Sequence, residues 1–173
     1  VMRRSVATVL VFALGLSSCS PAPKDAYSKI ANTRVEVFPS FQSYESISAV
    51  SRQLGDQAPR AKVTEDSKLP PTDRRPRFDM YVIEIPDREF CGQKGTLRLL
   101  FFNDRLASTS FFPGRSHTCF EYLRRSGVSV SDKQITVGDI ITWSSTEYRE
   151  RPYIAWEDRR LREEQDRWIS KYS

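Results

Sequence analysis

The segment Phe78–Phe112 limits the possible folds more than any other part of the chain. Phe78–Ile85 (FDMYVIEI), Thr96–Asn103 (TLRLLFFN) and Arg105–Phe112 (RLASTSFF) are dense in aromatic and β-branched residues, the types that suit a pleated surface. The second and third runs meet at Asn103-Asp104, and both residue types tolerate the positive φ of a tight hairpin. Side chains alternate along a strand, so Leu97, Leu99 and Phe101 share one face and Leu100 and Phe102 the other. Apolar residues on both faces predict a strand inside the sheet, covered on each side. An antiparallel meander with packed helices follows, which is the α+β class.

The helices are read from spacing. Ile47, Val50 and Leu54 mark one face of a helix over Ser40–Asp56, with Ser43 as N-cap and Gly55 as the stop. Thr118 and Glu121 have capping-box spacing, which predicts a helix over Cys119–Arg125 that ends at Gly127. In Glu157–Tyr172, Leu161, Trp168, Ile169 and Tyr172 form an apolar stripe. The opposite face mixes signs, with Arg160–Glu164 and Glu163–Arg167 at i, i+4. Mixed charge favours packing on the sheet over lying on a membrane surface. Further strands are predicted at Arg34–Phe38, Gln134–Val137, Asp139–Ser144 and Tyr153–Trp156, the last two as a hairpin around Thr146–Pro152. The order of elements suggests a duplicated α-β-β-β unit within one domain, residues 34–173.

Two surface features are candidate binding sites. Residues 56–77 carry Pro59, Pro70, Pro71 and Pro76 and read as a long loop, at whose end Arg74, Arg75 and Arg77 could hold an anionic partner. Trp143, Tyr148, Tyr153 and Trp156 gather around the last hairpin. They would serve as a platform for glycan, peptide or protein, or else Trp143 and Trp156 pack beneath the last helix with Trp168.

The N-terminus carries an address. Arg3 and Arg4 precede the uncharged run Val6–Leu16, which at about 11 residues is too short to span a bilayer as a helix. Small residues follow, so residues 1–18 have the grammar of a signal peptide. Leu16-Ser17-Ser18-Cys19 resembles the lipobox of bacterial lipoproteins. The resemblance implies cleavage before Cys19, acyl chains on Cys19 and a membrane anchor through them. Ser20, in place of Asp, points by analogy to the outer membrane. Residues 19–33 would then be a flexible tether. The formal charge of +5 includes Arg3 and Arg4 and falls when they leave. An envelope address argues against a nucleic-acid partner and for anionic lipid head groups or an envelope protein.

With Cys19 acylated, Cys91 and Cys119 remain, and in an oxidising compartment two thiols most simply pair. The alternative is a Cys119 nucleophile with His117 as its base. The chain has one His, too few for a multi-histidine metal site. Cys91–Gly95 (CGQKG) lacks the rest of a phosphate loop, and there is no Gly-x-Ser-x-Gly elbow. No enzyme, cofactor or metal is therefore expected. A hydrolase built on Glu84 with Asp87, or on Glu157 with Asp158, is the remaining catalytic reading.

The lipobox Leu16–Cys19, the helix ending Val50-Ser51-Arg52-Gln53-Leu54-Gly55 and the meander Gly95–Phe112 together resemble small outer-membrane lipoproteins of the SmpA/BamE-like type and the β-lactamase-inhibitor-like fold. That resemblance implies a non-enzymatic envelope-assembly component, or a module that binds or inhibits a hydrolase, toxin or cell-wall glycan. Only Cys19 takes a role from it.

Overall fold

The structure, a computed structural model, describes residues 33–127, 130–131, 133–145 and 151–173. Cys19, Tyr148, the leader and the tether lie outside the described residues. Strands β1 (Glu36–Phe38) and β2 (Phe41–Gln42) form a small hairpin of their own. Strands β3 (Lys62–Ser67), β4 (Met80–Phe90), β5 (Gln93–Phe102), β6 (Arg105–Pro113), β7 (Ile135–Val137), β8 (Ile140–Ser145) and β9 (Tyr153–Asp158) make an antiparallel sheet in the order β3-β4-β5-β6-β9-β8-β7. Helices α1 (Ile47–Leu54), α2 (Ser116–Arg125) and α3 (Arg159–Tyr172) and a 3₁₀ turn, Gly55–Arg60, complete the described elements. The fold is mixed α+β and mostly sheet.

The meander forms where the sequence places it. Asn103 and Asp104 both take positive φ, 50° and 61°, in the two-residue turn between β5 and β6. The turn is also fastened from outside. The Asn103 side chain accepts from the Asp79 amide at 2.8 Å and donates to the Arg77 carbonyl at 3.1 Å. The Asp104 carboxylate accepts from the Ile47 amide at 2.9 Å, which binds the turn to the first turn of α1. Leu97, Leu99 and Phe101 face a core shared with Ile83, Ile85, Phe111 and Ile154. Val37, Phe41, Val50, Cys119 and Leu123 cover that face. Phe102 and Ala107 point the other way, against Leu161 of α3.

Several boundaries differ from the sequence reading, each for a local reason. Helix α1 starts at Ile47 because Ser46, not Ser43, caps it by accepting from the Ala49 amide. Ser43 is buried, accepts from the Val35 amide, and bonds to the Asp158 carboxylate. Helix α2 starts at Ser116, with Arg115 at the N-cap and no side-chain cap, so the Thr118–Glu121 box is not used. Residues 56–77 are not a continuous loop. They contain most of a 3₁₀ turn, Gly55–Arg60, and the whole of β3, an edge strand whose residues are all exposed. With no core-facing apolar residue, β3 has no pattern to read; its backbone pairing with β4 makes it a strand.

Helix α3 crosses the second face of the sheet and is held at both ends. Asp158 caps its start, accepting from the Arg160 and Leu161 amides. At its far end Arg75 donates to the Tyr172 carbonyl at 2.9 Å, and the Trp168 indole donates to the Pro76 carbonyl at 2.9 Å. The ion pairs along it are Arg159–Glu163 and Arg162–Asp166, with Arg105 of β6 bidentate on Glu164. These replace the expected Arg160–Glu164 and Glu163–Arg167 pairs: Asp158 engages Arg160 and Arg105 takes Glu164.

Candidate functional site

A cleft of about 290 Å³ opens between β1 and α2 on the first face of the sheet. Four separate elements build it. Glu36, Val37, Phe38 and Pro39 form one wall, and Tyr122, Leu123 and Ser126 of α2 form the other. Phe90, the last residue of β4, and Trp156 of β9 make the floor. Trp156 lies opposite Thr109 and two residues from Ile154, so it shares the Phe111 face. The rings touch one another: Phe38 and Phe90 centroids are 4.8 Å apart, and Trp156 lies 5.7 Å from each. Ring planes cross at 70° for Phe38–Trp156 and 85° for Phe90–Trp156. Tyr122, across from them, is 52% exposed.

The two cysteines form a disulfide with Cα atoms 5.2 Å apart. Cys91 follows Phe90 in a turn where it and Gly92 both take positive φ. Cys119 lies one helical turn before Tyr122 and Leu123. The bridge therefore joins the residue beside the floor to the helix that forms the wall, and fixes the width of the cleft. His117 is exposed at the start of α2, and Cys119, bonded and buried, has no free thiol to act as a nucleophile.

The other expected site residues go elsewhere. Trp143 pairs across from Ala155 and so takes the face opposite Trp156; its indole donates to the Tyr153 hydroxyl at 3.5 Å. Trp143 and Trp156 therefore neither form one platform nor pack together under α3. Trp168 packs on Phe78 with centroids 4.3 Å apart. Two of the three clustered arginines are bound within the chain. Arg75 holds Asp73 at 2.7 Å and lies over the Trp168 ring, and Arg77 holds Asp79 at 2.5 Å. Arg74 is exposed.

The carboxylates that suggested hydrolysis are engaged in structure. Burial pushes the Glu157 carboxyl up, and the Arg162 guanidinium at 2.9 Å offsets part of this. Burial would also raise Asp158, but hydrogen bonds from Arg160 and Ser43 outweigh it and hold the carboxyl below its ordinary range. Glu84 faces Lys62 and Arg98 across its two neighbouring strands. Among the described residues no three His, Cys, Asp or Glu side chains come together as metal ligands, and no helix is long and apolar enough to cross a membrane. No family model matches the chain, and no curated protein matches it.

Sequence reading singled out Trp156 but missed Phe38, Phe90 and Tyr122 as its companions. The one usable signal was Cys91 beside Phe90: a disulfide to Cys119 brings Phe90 towards whatever follows Cys119 on the helix.

Proposed function

We propose that the chain is a lipid-anchored lipoprotein of the outer membrane, facing the periplasm, that holds another envelope protein and does no chemistry of its own. The aromatic cleft between β1 and α2 is where the partner docks, and its composition is the observation that carries this reading. Trp and Tyr dominate the energetics of protein contacts, and here Trp156 and half-exposed Tyr122 line one opening. The adjacent disulfide holds the walls in place before binding, which lowers the ordering cost on association. The lipobox Leu16–Cys19 supports the anchor. Engagement of Glu157 and Asp158 by Arg162 and Arg160 supports the non-enzymatic reading.

The test is a cross-linked purification of the tagged full chain from membranes. Tyr122→Ala and Cys19→Ala are the comparison variants. One stoichiometric partner, reduced at least about tenfold by Tyr122→Ala and rebinding to the purified parent, is the expected result. A partner indifferent to Tyr122→Ala overturns the cleft as docking site. An N-terminal peptide of the purified parent that carries no acyl chains on Cys19, by mass spectrometry, overturns the anchor.

The sheet order supports a further reading, that α1-β4-β5-β6 and α2-β7-β8-β9 are copies of one unit. α1 leads, after the 3₁₀ turn and the additional edge strand β3, into the meander β4-β5-β6, α2 leads into β7-β8-β9, and the two meanders meet antiparallel at β6–β9. Both helices pack on the same face, Val50 and Leu54 in one core with Cys119 and Leu123. A two-fold axis normal to the sheet would produce this arrangement. A fragment of residues 33–114 should then dimerise through β6; an unfolded monomer counts against duplication.

A further inference from the structure

The cleft's lining also specifies what enters it, an inference that rests on the docking reading above. Around Phe38, Phe90, Tyr122 and Trp156, the one charged lining residue among the described residues is Glu36, and it is exposed. Phe38 and Phe90 each meet Trp156 edge to face, at 70° and 85°, so the lining is aromatic, and aromatic faces carry negative potential. The last turn of α2 supplies Tyr122 and Leu123 to the wall, and a helix C-terminus carries about half a negative charge. Three sources of negative potential thus meet in one opening, and no cation lines it among the described residues. Arg124 and Arg125 share that turn but are exposed and outside the lining, with Arg125 3.9 Å from Glu121. At about 290 Å³ the cleft lies just below the ~300–1,000 Å³ of sites for drug-sized ligands, which suits a single side chain.

We infer that the cleft takes the alkylammonium side chain of a lysine carried by the partner protein. The methylenes lie against Phe90 and Trp156, and the ammonium sits by the aromatic faces and Glu36. Charge complementarity selects this occupant: an aliphatic side chain would use the rings and leave Glu36 without a role, and an anionic one would meet repulsion from it.

The probe is n-pentylammonium, with n-pentanol as its uncharged counterpart of nearly the same shape. The unlipidated full chain carrying Cys19→Ala is labelled with nitrogen-15, and its three tryptophans give three indole signals. Pentylammonium should shift the Trp156 indole saturably while Trp168 stays in place. Pentanol should bind at least about tenfold more weakly. Glu36→Gln should weaken pentylammonium about five- to tenfold and leave pentanol unchanged, with the other indole signals reporting that the fold is intact. Equal binding of pentanol, no effect of Glu36→Gln, or no shift with either probe each overturns the inference. The docking reading fails separately. A partner released by Tyr122→Ala but retained by Glu36→Gln keeps the cleft and removes the lysine; a partner indifferent to both removes the cleft.

Discussion

Removing the Cys91–Cys119 bridge should destabilise the protein by an amount set mainly by the unfolded chain. The bridge spans a sequence separation of 28, and the loop-closure relation gives an entropy near 12 cal/mol/K, or about 3.6 kcal/mol at 25 °C. At roughly 3 °C per kcal/mol for a chain of this size, the melting midpoint should fall by about 11 °C. Cys91 is 6% exposed and Cys119 is fully buried, so reductant reaches them only through local opening. The measurement is therefore urea unfolding of the Cys91→Ala/Cys119→Ala double variant against the oxidised parent. Hydrogen exchange on the same pair should show protection lost across α2 and kept in β5 and β6, because β5 and β6 are fixed by their ladders and by Phe101 and Phe111 in the core. A stability difference under about 1 kcal/mol would refute the loop-entropy reasoning. Unchanged exchange in α2 would refute the claim that the disulfide holds the cleft wall.

The remaining predictions concern the frame around the site. Asp158→Ala should cost about 2–4 kcal/mol by urea unfolding, because it removes the N-cap of α3 and the partner of Arg160 at a fully buried position. Asp158 is held below its ordinary 3.8, so its contribution is full above that value and is lost as pH falls through the folded pKa. Glu157, raised by burial, acts in the opposite sense: its ionisation costs stability as pH rises past its ordinary value. Asp158→Asn should therefore flatten the acid limb of the stability profile below its ordinary 3.8, and an unchanged limb would assign it to another group. Gly95→Ala places a Cβ 2.5 Å from both the Phe111 ring and the Phe112 carbonyl and should cost about 2–3 kcal/mol. Gly92→Ala meets nothing within 4 Å and should cost only about 1 kcal/mol from its positive φ; equal losses would mean that the Gly95 contact relaxes freely.

Local chemistry made the meander legible and hid the pieces around it. Asn103-Asp104 and the two-faced Leu97–Phe102 run carry their own instructions, and β5 and β6 form where those instructions place them. Strand β3 carries none, since a fully exposed edge strand needs no apolar alternation. Helix starts shift from the expected residue where a better-placed group competes. Ser43 looks like an N-cap, yet the chain folds it inward against Val35 and Asp158 and leaves the cap to Ser46. The arginines before β4 look like an anion site because sequence shows Arg74, Arg75 and Arg77 together and hides Asp73, Asp79 and the Tyr172 carbonyl that engage two of them.

The cleft shows why a binding surface of this kind escapes a linear reading. Phe38, Phe90, Tyr122 and Trp156 come from β1, β4, α2 and β9, and only the sheet order brings the last two strands' residues to one face. Period-two alternation placed Trp143 and Trp156 on strands of one hairpin, but whether they share a face depends on register. Pairing Trp143 with Ala155 rather than with Trp156 puts the two rings on opposite sides of the sheet. A one-residue slip of β8 would restore the expected platform, but it would also move Ile141 out of its buried position. Burial of Ile141 therefore fixes the register. That register leaves Trp156 to Phe38 and Phe90, and so decides which aromatics a partner meets.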